Sequence, residues 1–252
     1  MKSTLRLLHL GLITSGMLMA GCLGNSSAPE PAMTANDNAK VESASDDLEM
    51  ATSGGSVPFD DAEIYIEYNA TAADAGIQVF FDADAWHRFG IRGAQGGPIL
   101  DITAKGPMRE LGLTELRYES DEPSLVEVLE LFPAGPYDFF GTLVDGGGLH
   151  STANLSHDIP AAPSFTPSQG ELVDPENAEI AWASVAGVET YQVIVESDEN
   201  PRVFTIDLSA STLSVEIPES FLESGIEYKV EVLAIAPSGN RTISEGTFVT
   251  MD

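Results

Sequence analysis

The sequence has almost no cysteine and little positive charge. Cys22 is the single cysteine among 252 residues, which excludes an internal disulfide and a zinc site built from cysteines. The chain has 11 lysines and arginines against 40 aspartates and glutamates, so its net charge is −29. Nucleic-acid surfaces are built from clusters of lysine and arginine. We therefore expect no nucleic-acid partner.

The motifs of common catalytic sites are also missing. The sequence has no Gly-x-Ser-x-Gly elbow, no His-Glu-x-x-His zinc motif, no P-loop and no dinucleotide glycine fingerprint. After residue 22 the histidines are His87, His150 and His157. Because carboxylates are so abundant, no acid–base pair stands out among them. These absences predict a protein that is not an enzyme.

The first 22 residues have the layout of a secretory signal. Lys2 and Arg6 precede a mostly apolar, uncharged run at 7–20, and small residues follow it. The run is too short and too interrupted for a membrane-spanning helix, which needs about 20 apolar residues. A plain secretory signal with a chance cysteine is one interpretation of this segment.

Residues 18–22 (LMAGC) also resemble the lipobox of bacterial lipoproteins. In that family a diacylglyceryl group is attached to the cysteine thiol, and the chain is cut just before the cysteine. The resemblance implies a signal peptide at 1–21, a lipid on Cys22 and the membrane as a partner. Leu23 and not an aspartate follows the cysteine, and in enteric-type bacteria this resembles the outer-membrane sorting pattern. The resemblance leaves the periplasmic and surface faces of that membrane open.

Residues 22–57 have the composition of a disordered tether. Small and polar residues dominate, and six acids accompany Lys40 without a sustained apolar period. A flexible coil of this length spans roughly 30–35 Å on average. We expect it to hold a folded part, starting at Pro58, away from the lipid headgroups.

From Pro58 onward the pattern is typical of an all-β protein, with short alternating apolar runs between Gly, Pro, Asp and Asn. In the first region, 58–160, the predicted strands are 62–69, 76–82, 87–92, 98–103, 112–118, 137–144 and 149–156. One short helix interrupts them, since Ser124 and Glu127 form a capping box and Pro133 ends the apolar period.

The spacing Leu131-x-Pro133-x-Gly135-x-Tyr137-x-Phe139 resembles a variant of the tyrosine corner. With the strand pattern, it makes residues 58–160 similar to the Ig-like sandwiches of bacterial surface proteins. The resemblance implies a structural role for Tyr137 and no known ligand.

The second region, 161–252, resembles a fibronectin type III domain more specifically. Trp182 lies in an alternating strand, and Leu222-x-x-Gly225-x-x-Tyr228 opens a further alternating run. In that family the tryptophan and the leucine fill the core, and the tyrosine anchors the corner between the sheets. The resemblance implies two tandem β-sandwiches and core roles for Trp182, Leu222 and Tyr228.

The segment 67–76 admits a second interpretation as a calcium loop. Asn69 and Asp74 place oxygen atoms between two predicted strands, and calcium takes six to eight oxygen ligands. The spacing does not match an EF-hand. A hairpin turn formed by Asn, Asp and Gly is the alternative, so calcium remains a hypothesis and no other cofactor is expected.

Three functions remain open for a lipid-anchored pair of sandwiches. The first is adhesion or binding of a protein or glycan partner, and the second is a periplasmic scaffold or accessory subunit of an envelope complex. The third is a carbohydrate-binding accessory module, for which Trp86 is the tryptophan without an assigned core role. An enzyme belongs to this third class as the alternative to the accessory module, whereas the first two functions are non-catalytic.

Overall fold

The computed structural model describes residues 55–252, which form two β-sandwiches in tandem, each with its own apolar core. The predicted all-β fold with two sandwiches is confirmed. The predicted signal peptide, Cys22 and most of the predicted tether lie outside the described residues. Within residues 55–252, no helix has the length and apolar character needed to cross a membrane.

The first sandwich combines strands with two short helices between residues 58 and 160. Its strands are β1 (Asp61–Asn69), β2 (Asp74–Arg92), β3 (Pro98–Thr103), β4 (Leu113–Glu119), β5 (Gly135–Leu143) and β6 (Gly148–Leu155). Its helices are α1 (Pro107–Leu111) and α2 (Leu125–Leu131). Strand pairing begins just before Pro58, since Val57 forms an isolated parallel bridge with Leu149.

Strand β2 is continuous over 19 residues, whereas the sequence predicted two strands at 76–82 and 87–92. Its first half pairs with β1 and β4, and its second half pairs with β3 and β5. Register shifts between Asp82 and Arg88 separate the halves. Such irregularities bend a strand without ending it, so β2 contributes to both layers of the sandwich.

The two helices had different sequence signals. At the start of α2, the Glu127 N–H donates to Ser124 Oγ, and the Ser124 N–H donates to the Glu127 carboxylate. This is the predicted capping box, and Val128 packs the helix onto the core. The prediction of a single helix was wrong because it missed α1. With five residues and Pro107 in its first turn, α1 is too short to show an apolar period.

The second sandwich has one large and one small layer. Its strands are β7 (Phe165–Thr166), β8 (Glu171–Val173), β9 (Glu179–Trp182), β10 (Thr190–Ser197), β11 (Asn200–Ser209), β12 (Ser214–Glu216), β13 (Glu227–Ile235) and β14 (Arg241–Thr250). The large layer has the order β11-β10-β13-β14, with β8 beside the end of β14. The small layer has the order β12-β9-β7.

The two sandwiches share a sheet, because β14 pairs in parallel with the end of β1 at residues 67–69. Asn240, just before β14, is fully buried at this joint. Its Oδ1 accepts from the Ile66 N–H at 2.8 Å, and its Nδ2 donates to the carbonyl oxygens of Ser156 and Asp158. The Thr242 hydroxyl adds a bond to the Pro160 carbonyl. One amide thus joins β1, the linker and β14.

Candidate functional site

The residues predicted to fill the second sandwich lie in its core. Trp182 packs against Tyr191 with ring centroids 5.4 Å apart, and Leu222 is buried. The ring of Tyr228 is fully buried, and its hydroxyl accepts a hydrogen bond from the Glu223 N–H at 2.9 Å. These side chains therefore have structural roles in the core of the second sandwich.

Tyr137 has the corresponding place in the first sandwich. Its ring lies in the core, and its hydroxyl donates to the Pro133 carbonyl at 3.0 Å. Burial raises the pKa of Tyr137. Its bond joins the start of β5 to the chain that leaves α2, so this residue is also structural.

The two candidate calcium ligands face each other across the β1–β2 hairpin, where Asn69 is the pairing partner of Asp74. The Asn69 side-chain oxygen already accepts hydrogen bonds from the N–H groups of Thr71 and Ala72. This bonding is typical of an asparagine that shapes a turn. A calcium ion at this oxygen would compete with two backbone donors, and calcium binding stays a prediction.

Trp86 does not provide an aromatic platform for a sugar. Its ring is fully buried and packs against the stacked rings of Phe81 and Phe89, and its Nε1 donates to the Thr114 carbonyl at 3.3 Å. The suggestion that Trp86 marks a carbohydrate site was therefore wrong. The sequence did not reveal the burial of Trp86, because the polar residues Asp84 and His87 lie close to it along β2. At this point β2 passes from one layer of the sandwich to the other.

An acidic cleft lies on the large layer of the second sandwich. It encloses about 450 Å³ and is lined by one lysine and five acids. These residues are Lys229, Glu196, Asp198, Glu199, Glu227 and Glu245. We call it the Lys229 cleft. Thr71 extends it to the first sandwich, where its hydroxyl accepts a hydrogen bond from the Glu245 N–H at 2.9 Å.

Lys229 is held inside this cleft by two carboxylates. Its Nζ lies 2.7 Å from Glu231 Oε1 and 2.8 Å from Glu245 Oε1. Burial lowers the pKa of Lys229, but the hydrogen bonds to these acids outweigh burial and raise it. Burial alone would raise the pKa of Glu245. The hydrogen bonds from Lys229 and Asn69 outweigh burial, so the pKa of Glu245 is lowered. The lysine is therefore charged, and its charge is already compensated by Glu231 and Glu245.

A second acidic group lies near the joint between the sandwiches. Carboxylate oxygens of Glu67, Glu119 and Glu122 come within 4.8 Å of one another. Burial raises the pKa of Glu67 to about 7, although Arg241 opposes the shift from 3.8 Å. Burial, followed by repulsion from Glu119 and Asp74, raises the pKa of Glu122 to about 7. We call these three residues the acid trio, in which the raised pKa values of Glu67 and Glu122 favour their protonated forms near neutral pH.

The alternation of charged and apolar residues in the sequence predicts part of the Lys229 cleft but little of the acid trio. Glu227, Lys229 and Glu231 alternate with buried residues, so one face of β13 is charged. The pairing of β13 with β10 and β14, which brings Glu196 and Glu245 beside Lys229, has no short-range signal. The acid trio is harder still to predict, since it depends on the neighbours of β2.

No protein-family model matches the chain, and no curated protein matches it. Among solved structures, the FN1–FN3 domains of chicken CNTN1 are 15% identical, with a TM-score of 0.34 over 78% of this chain, which spans 65% of theirs. A two-domain fibronectin type III segment of chicken tenascin is 12% identical, with a TM-score of 0.29 over 75% of this chain and 97% of that one. An Fn3-like protein from Clostridium thermocellum is 20% identical, with a TM-score of 0.26 over 36% of this chain and 97% of that one. These similarities concern the fold alone.

Proposed function

We propose that the protein is a non-catalytic, lipid-anchored binding module of the bacterial cell envelope. In this proposal Cys22 carries the lipid, residues 22–57 form the tether, and the two sandwiches bind a partner. The observation that carries the proposal is the sheet shared by β1 and β14, closed by the buried Asn240. This joint presents two domains as one surface to a partner.

The Lys229 cleft is the proposed contact surface, and basic side chains of a partner protein are its proposed ligands. Five acids line the cleft around a lysine that Glu231 and Glu245 already neutralise. Complementary charge favours and steers such an encounter. A protein partner is favoured over a glycan because the aromatic candidate for a sugar platform, Trp86, is buried in the core.

Site-specific photo-crosslinking in the producing cells tests this contact. A crosslinking amino acid at Asp198, exposed in the cleft, is expected to form a discrete protein adduct that weakens at high salt. The matched control places the same group at Leu213, next to the opposite layer. Glu199→Lys with Glu227→Lys reverses two exposed cleft charges and is expected to abolish the adduct. Equal adducts at both positions, or no effect of charge reversal, would contradict a contact at the cleft.

An outer-membrane location is part of the proposal, on either face of that membrane. Protease treatment of cells with intact and with permeabilised outer membranes separates the two faces, since an exposed tether is readily cut. Cleavage in intact cells favours adhesion to an extracellular partner. Cleavage only after permeabilisation favours the alternative of a periplasmic scaffold or accessory subunit. Recovery of the protein in the soluble fraction contradicts both.

A further inference from the structure

Strand β11 is the outermost strand of the large layer in the second sandwich. It has ten residues and pairs on one side with β10, and no other strand of residues 55–252 lies beside it. The Ala210 N–H donates to the Glu189 carbonyl, which places the even-numbered residues of β11 in the hydrogen bonds to β10. By alternation, the main-chain groups of Val203 and Thr205 point to the free edge. Such a row of unpaired groups is a template for a further strand.

The side of β11 that faces the core is incompletely covered. Phe204 and Ile206 pack against the core of the second sandwich, yet both remain partly exposed. The opposite layer ends at β12, which has three residues and is too short to cover the ten residues of β11. Phe221, which follows β12, is also partly exposed, and its ring centroid lies 5.9 Å from that of Phe204. A strand added to β11 would therefore gain apolar contacts as well as main-chain hydrogen bonds.

The segment that contains β11 and β12 is strongly acidic. Residues 196–223 contain seven acids and a single basic residue, Arg202. The acids are Glu196, Asp198, Glu199, Asp207, Glu216, Glu219 and Glu223. The Arg202 guanidinium is already compensated, since its Nη2 lies 3.0 Å from Glu223 Oε1. A second copy of the chain would present the same acids, and like charges opposite each other destabilise paired strands. An added strand with basic side chains is therefore favoured over self-pairing.

The free edge of β11 is continuous with the Lys229 cleft. Asp198 and Glu199, in the turn between β10 and β11, line the cleft, and β11 begins at the next residue. Val203 follows after a rise of about 10 Å. It is the pairing partner of Glu196, which also lines the cleft. A partner segment that leaves the cleft over this turn therefore reaches the first half of β11 directly.

We propose that a basic, extended segment of the partner protein adds as a strand to the first half of β11, with its main chain bonded to Val203 and Thr205. This inference rests on the proposed function, because it describes how the partner of the Lys229 cleft is held. Apolar side chains of the added strand lie beside Phe204, and basic side chains on its other face meet acids such as Glu196. In this mode of recognition main-chain hydrogen bonds provide affinity, and alternate side chains provide specificity.

Hydrogen exchange of the full-length protein in detergent, with a defined probe, tests the pairing. The probe is a short synthetic peptide of alternating lysine and valine. It should slow exchange severalfold at the amides of Val203 and Thr205, and it should leave Ile206, whose N–H is directed to β10, unchanged. A peptide of alternating glutamate and valine is the matched control and should have no effect. Equal slowing by both peptides, or no slowing by the lysine peptide, would overturn the inference. Slowing that grows with protein concentration in the absence of peptide would indicate self-pairing and would also overturn it.

A proline variant tests the main-chain bond in the producing cells. Because the Thr205 N–H faces the free edge, Thr205→Pro removes a donor to the added strand and leaves the bonds between β11 and β10 in place. It should weaken the photo-crosslinked adduct at Asp198 severalfold, whereas Thr205→Val, which keeps the donor, should not. Should the proline variant fail to fold, an N-methylated form of the lysine peptide makes the same test on the wild-type protein. It lacks main-chain donors and should not slow exchange at Val203.

The same adduct separates this inference from the proposed function. An Asp198 adduct that Thr205→Pro leaves unchanged overturns the strand addition and leaves the contact at the Lys229 cleft standing. Absence of the adduct from the wild-type protein overturns both. An N-methylated peptide that slows exchange as well as the unmodified peptide overturns the strand addition alone.

Discussion

At the residue scale, the raised pKa values of Glu67 and Glu122 in the acid trio make the stability of the fold depend on pH. Glu67 is surrounded by Arg241 on β14, Glu231 on β13, and Glu119 and Glu122 at and after the end of β4. A single guanidinium lies close enough to compensate it, so ionising Glu67 and Glu122 together introduces uncompensated repulsion. Since both pKa values are raised, the folded state binds protons that the unfolded chain releases at the same pH.

We predict that the free energy of unfolding rises as the pH falls from 8 to 5. The contribution of each acid is fully present below the unfolded pKa near 4.5 and is lost as the pH rises through the folded pKa of about 7. Each additional bound proton contributes at most about 1.4 kcal/mol per pH unit. The lowered pKa of His87, which reflects burial and then Arg109, acts in the opposite direction as it protonates. Urea unfolding at several pH values measures the sum.

The Glu122→Gln variant isolates the acid trio from His87. Glutamine resembles the protonated acid, so the variant should be more stable than the wild type at pH 8, and the difference should disappear as the pH falls below the unfolded pKa near 4.5. Glu130→Gln, which removes an exposed charge from α2, is the matched control and should not reproduce this crossover. A Glu122→Gln protein with an unchanged pH profile would contradict the assigned proton uptake.

At the scale of elements, the capping box should be the main local stabiliser of α2. Ser124→Ala removes the side-chain acceptor of the Glu127 N–H and should cost about 1 kcal/mol. Unfolding by urea measures the loss, and Ser184→Ala, on an exposed loop, controls for removal of a hydroxyl. A loss no larger than that of the control would show that packing of Val128 alone holds the helix.

Elements with strong local signals could be predicted from the sequence. The alternation in β1 and β3, the capping box of α2 and the core positions of Trp182 and Tyr228 all depend on neighbours within a few residues. The continuity of β2 could not be predicted, because aspartates such as Asp82 and Asp84 occur both at bends within a strand and at the ends of strands. Helix α1 is shorter than the period that would reveal it.

The candidate sites depended on contacts between distant residues, which explains why the sequence predicted so little of them. The Lys229 cleft needs the order β10-β13-β14, and the joint needs Ile66 and Asn240, which are 174 residues apart. Asn240 occurs in a loop of ordinary length and composition. Nothing local distinguishes an asparagine that joins two domains from one that forms a turn.

At the scale of the whole molecule, the joint should make the two sandwiches cooperative. Asn240→Ala would leave the Ile66 N–H and the carbonyl oxygens of Ser156 and Asp158 without their partner, a loss of roughly 2–4 kcal/mol. Urea unfolding should show the loss, and hydrogen exchange at the Ile66 amide should accelerate. Asn154→Ala, on an exposed position of β6, is the control. Unchanged exchange at Ile66 would contradict a joint that depends on Asn240.

The entry of the chain and the proposed contact surface lie in different sandwiches. The described chain enters the first sandwich near Val57, and the Lys229 cleft lies mainly on the second sandwich, beyond the joint. The proposed function depends first on the proposed lipid at Cys22.

Mass spectrometry of the N-terminal peptide, from protein extracted out of the membranes of the producing cells, tests that anchor most directly. The account predicts a mature chain that begins at Cys22 and carries diacylglycerol on the thiol. A chain cut elsewhere, or one that begins at Cys22 with a free thiol, would contradict the proposed lipid anchor.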